Sequence, residues 1–252
     1  MKEIYSLFVM VVAIALLAIS MPVPASTMDD RIESSARESY VFKTYLKADD
    51  IKVKSVDGVV TLTGTVSEES HKQLAKATLA SLPGVKTVDN KLEVKGEGPA
   101  ENSDTWLMMK VKNALLFHSS VSSLKTEVNV KDGVVTLEGE ATSQAQKDLA
   151  TEYARDVDGV KDVRNEMIAI QGPAKTRTAG EKIDDASITA QVKMTLLYHR
   201  STSALNTTVT TKDGVVTLSG KADNAAAKDL AAKYANDVNG VRSVKNLMTV
   251  GQ

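Results

Sequence analysis

The chain has 252 residues, a formal net charge of -1 and an ordinary globular composition, with 42% hydrophobic and 25% charged residues. No long basic run appears, which disfavours a nucleic-acid-binding surface and strong electrostatic capture by anionic lipid. Because the sequence has no cysteine, it excludes disulfides, cysteine-ligated zinc, iron–sulfur clusters and thiol catalysis, and we expect no lipid anchor through an N-terminal cysteine.

The N-terminal segment has the pattern of an export signal. Lys2 precedes an apolar stretch from Ile4 to Ile19, and Val23 and Ala25 stand where small residues precede a cleavage site. We therefore expect a signal peptide over residues 1–25, cleaved after Ala25, and a periplasmic location. The alternative is an uncleaved membrane anchor, although the apolar stretch is a little short for a span.

One short phrase is written three times in the chain. It reads DGVVTLTG from Asp57, DGVVTLEG from Asp132 and DGVVTLSG from Asp213. A second phrase recurs at the same offsets as LPGVKTVDN, VDGVKDVRN and VNGVRSVKN. Such self-similarity indicates three copies of one structural unit, and copies two and three align without a gap.

The segments between the copies are rich in Gly, Pro and polar residues, which is typical of linkers. Each copy is long enough to fold alone. We predict separate modules arranged as beads on a string. The predicted modules are residues 28–96, 104–171 and 183–252, and the predicted linkers are residues 97–103 and 172–182.

Copy two indicates the elements of one module. Asp104 is a candidate N-cap of a first helix, and Leu107, Val111, Ala114 and Leu115 share one face of that helix. A β-hairpin, a second helix and a third strand follow. In the third strand, the candidate apolar positions are Val160, Val163, Met167 and Ile170.

Glycines mark the turns of each module. An Asp-Gly pair between β-rich runs predicts a two-residue hairpin turn, because both of its central residues can take positive φ. The predicted turn pairs are Asp57–Gly58, Asp132–Gly133 and Asp213–Gly214. A further glycine in each copy stands where a helix needs a left-handed residue just after its end. These glycines are Gly84, Gly159 and Gly240.

The order αββαβ predicts an α+β fold of three tandem modules, each a small three-stranded mixed sheet with two helices on one face. The export signal, this order, the DGVVTL-G hairpin and the GVKxVxN start of the last strand together resemble the BON domain family. The resemblance covers nearly all of the chain after the signal. The usual osmotically inducible member has two such domains, so the third copy is a departure.

The resemblance implies a non-enzymatic protein that binds phospholipid or other envelope components and supports the envelope under stress. It assigns no ligand-binding residue to this chain. The residues themselves offer no catalytic, cofactor or metal motif: HExxH, GxxxxGK[ST], G-x-S-x-G and calcium-loop spacings are all missing. We therefore predict that the protein is not an enzyme.

Histidine and asparagine recur at matching positions. His118 and His199 occupy the same place in copies two and three, near the end of the first helix, where Lys43 stands in copy one. We interpret them as cations that interact favourably with the helix dipole, since no further metal ligands lie nearby. An asparagine shared by all three copies is expected to bond local backbone or mark a bulge. It is Asn90, Asn165 and Asn246.

The copies disagree most around Trp106, the only tryptophan, which aligns with Arg31 and Ser187. Helical geometry places Trp106 and Met109 outside the buried stripe and Met108 at its margin, which predicts an exposed apolar patch. Trp suits a membrane–water boundary. The alternative is that Trp106 and Met109 pack against another copy or a linker, or against a partner protein.

The sequence thus favours an exported envelope or osmotic-stress protein that binds a phospholipid membrane surface through tandem BON-like domains, with Trp106, Met109 and Met108 as candidate contacts. The alternative function is a periplasmic protein-interaction or chaperone-like scaffold, whose tandem modules gain avidity. In either case the expected partners are phospholipid or envelope proteins, without nucleic acid or cofactor. The sequence leaves the oligomeric state open.

Overall fold

The computed structural model describes residues 25–121, 125–170, 182–203 and 206–251. The predicted signal peptide, except Ala25, and nearly all of the second predicted linker lie outside the described residues. We number the three copies module 1, module 2 and module 3 in chain order.

The helices and strands follow the predicted order, except that modules 1 and 3 have an additional short helix and modules 2 and 3 have the third strand in two pieces. Module 1 contains α1 (Ala25–Glu38), α2 (Tyr40–Thr44), β1 (Asp50–Val56), β2 (Val59–Val66), α3 (Glu69–Leu79) and β3 (Thr87–Val94). Module 2 contains α4 (Asp104–Leu116), β4 (Lys125–Lys131), β5 (Val134–Ala141), α5 (Gln144–Arg155), β6 (Asp162–Asn165) and β7 (Ile168–Ala169). Module 3 contains α6 (Asp185–Tyr198), α7 (Arg200–Ser203), β8 (Asn206–Lys212), β9 (Val215–Ala222), α8 (Ala225–Asn236), β10 (Ser243–Asn246) and β11 (Thr249–Val250).

Each module has one small mixed sheet with its second strand in the middle. In module 1 the order is β1-β2-β3, with β1 antiparallel and β3 parallel to β2. Modules 2 and 3 repeat this arrangement around β5 and β9. A parallel third strand needs a crossover, which the second helix of each module provides. The prediction of an α+β fold with three αββαβ modules is confirmed.

Alternation along the strands shows which face of the sheet the helices cover. On β2, Val60, Leu62 and Val66 are fully buried, whereas Val59 and Thr63 are exposed. Of the four apolar positions predicted for the third strand of module 2, Val160, Val163 and Met167 are buried and Ile170 is exposed. The prediction was wrong for Ile170, which follows the end of β7 at Ala169 and is 44% exposed.

The glycine that ends each repeated phrase allows two strands to approach closely. Gly220 has φ of +121°, and a Cβ there would stand 1.9 Å from the carbonyl oxygen of Asn206 on the neighbouring strand. Gly64 repeats this geometry against Asp50, with 2.0 Å. No other residue fits such a contact, which explains why the phrase always ends in glycine.

The modules pack against one another, so the prediction of beads on a string was wrong. One hydrophobic core is continuous across modules 2 and 3. A second core lies in module 1 and extends into Phe117 and into Ala186, Ala190 and Met194 of α6. Because α6 is covered by module 3 on one side and module 1 on another, even its Gln191 is fully buried. The apolar stripes read from the sequence did not reveal these second contacts.

Candidate functional site

The Asp-Gly turns of the repeated phrase have a structural role. Asp57 and Gly58 both take positive φ, of 53° and 78°, and their N–H groups donate to the Asp29 carboxylate at 2.7 and 2.9 Å. Hydrogen bonds from Ser55 and Gly58 hold the pKa of Asp29 below its usual value. The same clamp joins Asp104 to the turn at 132–133 and Asp185 to the turn at 213–214.

These clamps correct the expected role of Asp104. The N-cap of α4 is Ser103, whose hydroxyl accepts a hydrogen bond from the N–H of Trp106 at 3.2 Å. Asp104 begins the helix and turns its carboxylate to Asp132 and Gly133 instead. The sequence placed the cap one residue too late because Ser and Asp are both good caps.

The recurring asparagine ties the third strand to the second helix. Asn165 donates to the carbonyl of Lys147 on α5 at 2.8 Å and accepts from the N–H of Met167 at 3.0 Å. Asn90 and Asn246 make the corresponding bonds in the other modules. The expectation of local backbone bonding is confirmed.

The second set of marker glycines also takes the left-handed conformation. Gly84, Gly159 and Gly240 have φ of 88°, 94° and 86°. However, α5 ends at Arg155, so Gly159 lies in the turn after the helix and not directly at its end. A Cβ on Gly159 would contact Leu107 of α4 at 3.4 Å, which shows that the first helix packs over this turn.

Trp106 and Met109 lie half-buried at a cleft between modules. The cleft has a volume of about 670 Å³ and runs between α4, the start of α3, Tyr198 of α6 and the linker around Pro99. The Nζ atom of Lys110 lies 4.3 Å from the centre of the Trp106 ring, a cation–π contact. Met108 is also half-buried, and both Trp106 and Met108 pack against the core shared by modules 2 and 3, so the patch expected to be exposed is half-buried. Whether this region contacts a membrane or a partner stays a prediction.

A pair of histidines lies at the centre of the contact between modules 2 and 3. Nε2 of His118 and Nε2 of His199 are 2.8 Å apart, and both side chains are 0% exposed. Two neutral imidazoles can bond in this way only as different tautomers, one donating and one accepting. One ring must therefore carry its proton on Nδ1.

Tyrosines and aspartates surround this pair in a pseudo-twofold arrangement. His118 stacks on Tyr153 with ring centres 3.8 Å apart, and the Tyr153 hydroxyl donates across the interface to Asp237 at 2.8 Å. Tyr234 packs on His199 in the same way, and its hydroxyl donates back to Asp156 at 2.8 Å. Each aspartate also accepts from serines of the opposite module. These are Ser119 and Ser120 on Asp237, and Ser201 on Asp156.

The Nδ1 atoms face the aspartates without making good hydrogen bonds. The distance from His118 Nδ1 to Asp237 is 3.3 Å and from His199 Nδ1 to Asp156 is 3.7 Å. Both are within ion-pair range, yet neither Nδ1 has a partner with hydrogen-bond geometry among the described residues. The two contacts are therefore electrostatic only.

Burial dominates the ionisation of the network. It lowers the pKa of His199 to about 3, with a contribution from the neighbouring His118. It also lowers the pKa of His118, although Asp237 opposes that shift. For Asp237, burial raises the pKa, but the contact with His118 and hydrogen bonds from Ser120, Ser119 and Tyr153 outweigh it and bring the pKa to about 2. Burial raises the pKa of both tyrosines.

Both histidines are therefore neutral, and their interpretation as helix-end cations was wrong. Within a single module each position lies near a helix end, but the second module buries it. A usable signal was present in the sequence, because three aligned positions carry the same residues in modules 2 and 3 and different residues in module 1. His118, Tyr153 and Asp156 recur as His199, Tyr234 and Asp237, while module 1 has Lys43, Thr78 and Ser81 in their places. His71 is unrelated and contacts Asp49 within module 1 at 2.6 Å.

The arrangement joins two modules through their side chains. Across the described ranges, no group of three or more His, Asp or Glu side chains is placed to hold a metal ion. Within the same ranges, no helix has both the length and the hydropathy that crossing a bilayer requires. The chemistry of the site is burial, stacking and hydrogen bonding at an interface.

Comparison with known proteins agrees with the repeated architecture. A family model, the BON domain, matches residues 28–96, 103–171 and 184–252. Osmotically-inducible protein Y of Escherichia coli K12 is 36% identical over 143 residues, which cover 55% of this chain and 71% of that protein. The 21 kDa hemolysin of Actinobacillus pleuropneumoniae is 35% identical over 45% of this chain and 59% of its own length. Outer membrane lipoprotein DolP of Haemophilus influenzae is 29% identical over 54% of this chain and 71% of that protein.

Proposed function

The chain belongs to the BON domain family, and we propose that it is a non-enzymatic envelope protein of the osmotic-stress type that binds phospholipid membrane surfaces. Two of its relatives carry names that refer to osmotic induction and to the outer membrane. The predicted export signal fits a location in the envelope, and we propose the periplasm. We propose phospholipid as the ligand and the cleft at Trp106 as the surface that contacts it.

The main support for phospholipid binding is the cleft at Trp106. Trp106 supplies a large apolar body with one N–H donor, and Lys110 lies over its ring. This combination suits the headgroup layer of a membrane, where one end of the ring is apolar and the other is hydrated. The adaptable thioether of Met109 lines the same cleft.

Charges of both signs border this cleft. Lys95 and Lys110 line it together with Glu68, Glu69 and Glu97. Such a border suits a zwitterionic headgroup, whose phosphate and ammonium groups find opposite charges, better than a purely anionic one. We therefore expect phosphatidylethanolamine vesicles to bind at least as well as phosphatidylglycerol vesicles.

Liposome co-sedimentation of the mature protein tests this function. Trp106→Ser/Met109→Ser should lose most of the vesicle binding, while circular dichroism should show a retained fold. Leu247→Ser is the matched control, since it removes an exposed apolar side chain in module 3, far from the cleft in sequence. Equal binding by the wild-type protein and the double variant would remove the lipid role of the cleft.

A second function, a periplasmic protein-interaction or chaperone-like scaffold, has an observation of its own. Ile168 and Leu247 are 69% and 65% exposed beside the third strands of modules 2 and 3. In the described residues β7 pairs only with β5, and β11 only with β9, so one edge of each strand is open. An open edge with apolar side chains can accept an extended polypeptide as a further strand.

Capture of envelope proteins from a lipid-free extract tests the scaffold. Ile168→Lys and Leu247→Lys should reduce capture, because an edge lysine disfavours strand addition. Thr63→Lys, on the exposed face of β2 in the middle of a sheet, is the control and should capture normally. Unchanged capture by the two edge variants would argue against this function.

A further inference from the structure

A groove lies between α3 of module 1 and module 3. Its volume is about 410 Å³, and it is bordered by α6, α7 and β8 on the side of module 3. Much of the wall is apolar or small, and these residues are Ala77, Ala80, Met194, Leu197 and Val209. The groove is separate from the Trp106 cleft, with which it shares only Gln73 and Leu197.

Two lysines line the groove, whereas acidic side chains line only the adjoining pocket on the other side of Lys193. The two are Lys76 and Lys193, and the lining of the groove contains no Asp or Glu. Lys193 is half-buried and, within the described part of the chain, makes no ion pair or hydrogen bond. Burial accordingly lowers the pKa of Lys193. Placing an ammonium group out of water without a partner is unfavourable, which is typical of a position kept for binding.

The same wall holds an unpaired hydroxyl. The Oγ1 atom of Thr207 is buried and has no hydrogen-bond partner among the described residues. Its neighbour in the wall, Thr202, already donates to the carbonyl of Leu196 at 2.8 Å. Buried hydroxyls are usually satisfied, so Thr207, which lines the same groove as Lys193, has an unused hydrogen-bonding capacity.

The sister modules show that packing, not residue type, makes this position unusual. The residues aligned with Lys193 are Lys112 in module 2 and Arg37 in module 1. Lys112 is exposed to solvent, and Arg37 pairs with Glu33 at 3.3 Å. The basic residue becomes half-buried and unpaired only in module 3, where module 1 covers α6.

We propose that this groove binds a single-chain amphiphile with an acidic headgroup, a carboxylate or a phosphate monoester, whose head contacts Lys193 and Thr207 and whose chain lies along Ala77 and Leu197. The charge of the groove selects an anion, and its apolar wall selects a hydrocarbon chain. The inference deepens the proposed function by naming a lipid class, and so rests on it, but it uses a surface other than the Trp106 cleft.

Isothermal titration calorimetry on the mature protein tests the groove. Dodecanoate and dodecyl phosphate, each below its micelle concentration, should bind with one-to-one stoichiometry and show whether carboxylate or phosphate is preferred. Inorganic phosphate and neutral dodecyl maltoside should bind at least tenfold more weakly. No binding of either anionic amphiphile, or equal binding of the maltoside, would overturn the proposal.

Variants locate the site. Lys193→Met keeps the alkyl stem and should weaken binding about 10- to 100-fold, the range of a charged hydrogen bond. It should also raise the thermal midpoint, because it removes a poorly solvated charge. Thr207→Val should weaken binding less. Lys112→Met, at the aligned exposed position, is the control and should bind the anionic amphiphiles as the wild-type protein does. If Lys193→Met also binds them as tightly as the wild-type protein, the proposal is overturned.

The experiments test the Trp106 cleft and the groove at Lys193 independently. Trp106→Ser/Met109→Ser should retain dodecanoate binding, while Lys193→Met should retain vesicle binding. Absence of vesicle binding alone therefore counts against the proposed function, and absence of dodecanoate binding alone counts against the groove.

Discussion

Modules 2 and 3 meet through a buried polar network, whereas module 1 meets module 3 mainly through small and apolar side chains. In the first interface, His118, His199 and their tyrosines are hydrogen-bonded across a pseudo-twofold axis. In the second, Ala190 and Met194 of α6 pack into the core of module 1. Polar contacts flank that core at the start of α2, where the N–H of Tyr40 donates to Asp184 at 2.8 Å.

The difference shows how similar modules can join in unlike ways. A pseudo-twofold interface needs the same residues on both sides, and modules 2 and 3 share them at aligned positions. Module 1 lacks them and uses a different face of α6. A polar interface fixes one relative orientation, because each donor must meet its acceptor. An apolar interface depends mainly on excluding water.

The largest effect should come from removing an aspartate of the polar interface. Asp237→Ala leaves the hydroxyls of Ser119, Ser120 and Tyr153 without their acceptor, so we expect a loss of about 3 kcal/mol. Urea unfolding measures it. Asp158→Ala, which removes a surface ion pair with Lys110, should cost less than about 1 kcal/mol. Similar losses in the two variants would contradict a special role for Asp237.

We expect a substitution in the apolar interface between modules 1 and 3 to change the course of unfolding. Ala190 is fully buried between modules 1 and 3, so Ala190→Glu places an unpaired charge there, at a cost of about 3 kcal/mol. We expect module 1 to unfold in a separate, earlier transition while modules 2 and 3 remain paired. Met109→Glu, at the aligned half-buried position, is the control. One unchanged cooperative transition for Ala190→Glu would show that this contact does not hold module 1.

A double-mutant cycle on the histidines sharpens the comparison. His118→Phe keeps a ring to stack on Tyr153 but leaves His199 without its bond, so we expect a loss of about 2 kcal/mol. His118→Phe/His199→Phe removes both polar partners and should lose less than the single variant. Losses that simply add would contradict a direct coupling between the rings.

The smallest effect should come from the clamp on the Asp-Gly turn, which belongs to neither interface. Asp104→Ala removes the acceptor of two backbone N–H groups and should cost about 1–2 kcal/mol. Asp132→Asn keeps the turn, since Asn tolerates the positive φ of 54° found there, and should change stability by less than about 0.5 kcal/mol. If the two variants lose the same free energy of unfolding, the side chain of Asp132 has a role beyond forming the turn.

The sequence predicted local structure within a module and missed contacts between residues that lie far apart in the chain. Strand alternation, the Asp-Gly turns and the buried stripe of α4 from Leu107 to Leu115 follow from local periodicity, and the structure confirms them. The histidine pair could not follow from periodicity, because its two halves lie in different modules and meet only after the modules pack. The clamp by Asp104 was missed for a similar reason, since its partners Asp132 and Gly133 lie far along the chain, beyond the first strand.

Acid stability tests the buried histidine pair most directly. Its neutral rings hold pKa values below the ordinary 6.5, so the unfolded chain takes up protons first and stability falls as the pH drops below about 6.5. At pH 5 the loss for His199 is about 2 kcal/mol, at about 1.36 kcal/mol for each pH unit. The pKa of Asp237 is about 2, so this carboxyl group contributes a further loss of stability only when the pH falls below its ordinary pKa of 3.8.

The measurement is the unfolding free energy of the wild-type protein and of His118→Phe/His199→Phe at pH 7.5 and pH 5. We predict that the wild-type protein is about 2 kcal/mol or more less stable at pH 5, and that the double variant loses much less. Equal stability of the wild-type protein at both pH values, or the same loss in the double variant, would contradict a buried, neutral histidine pair between modules 2 and 3.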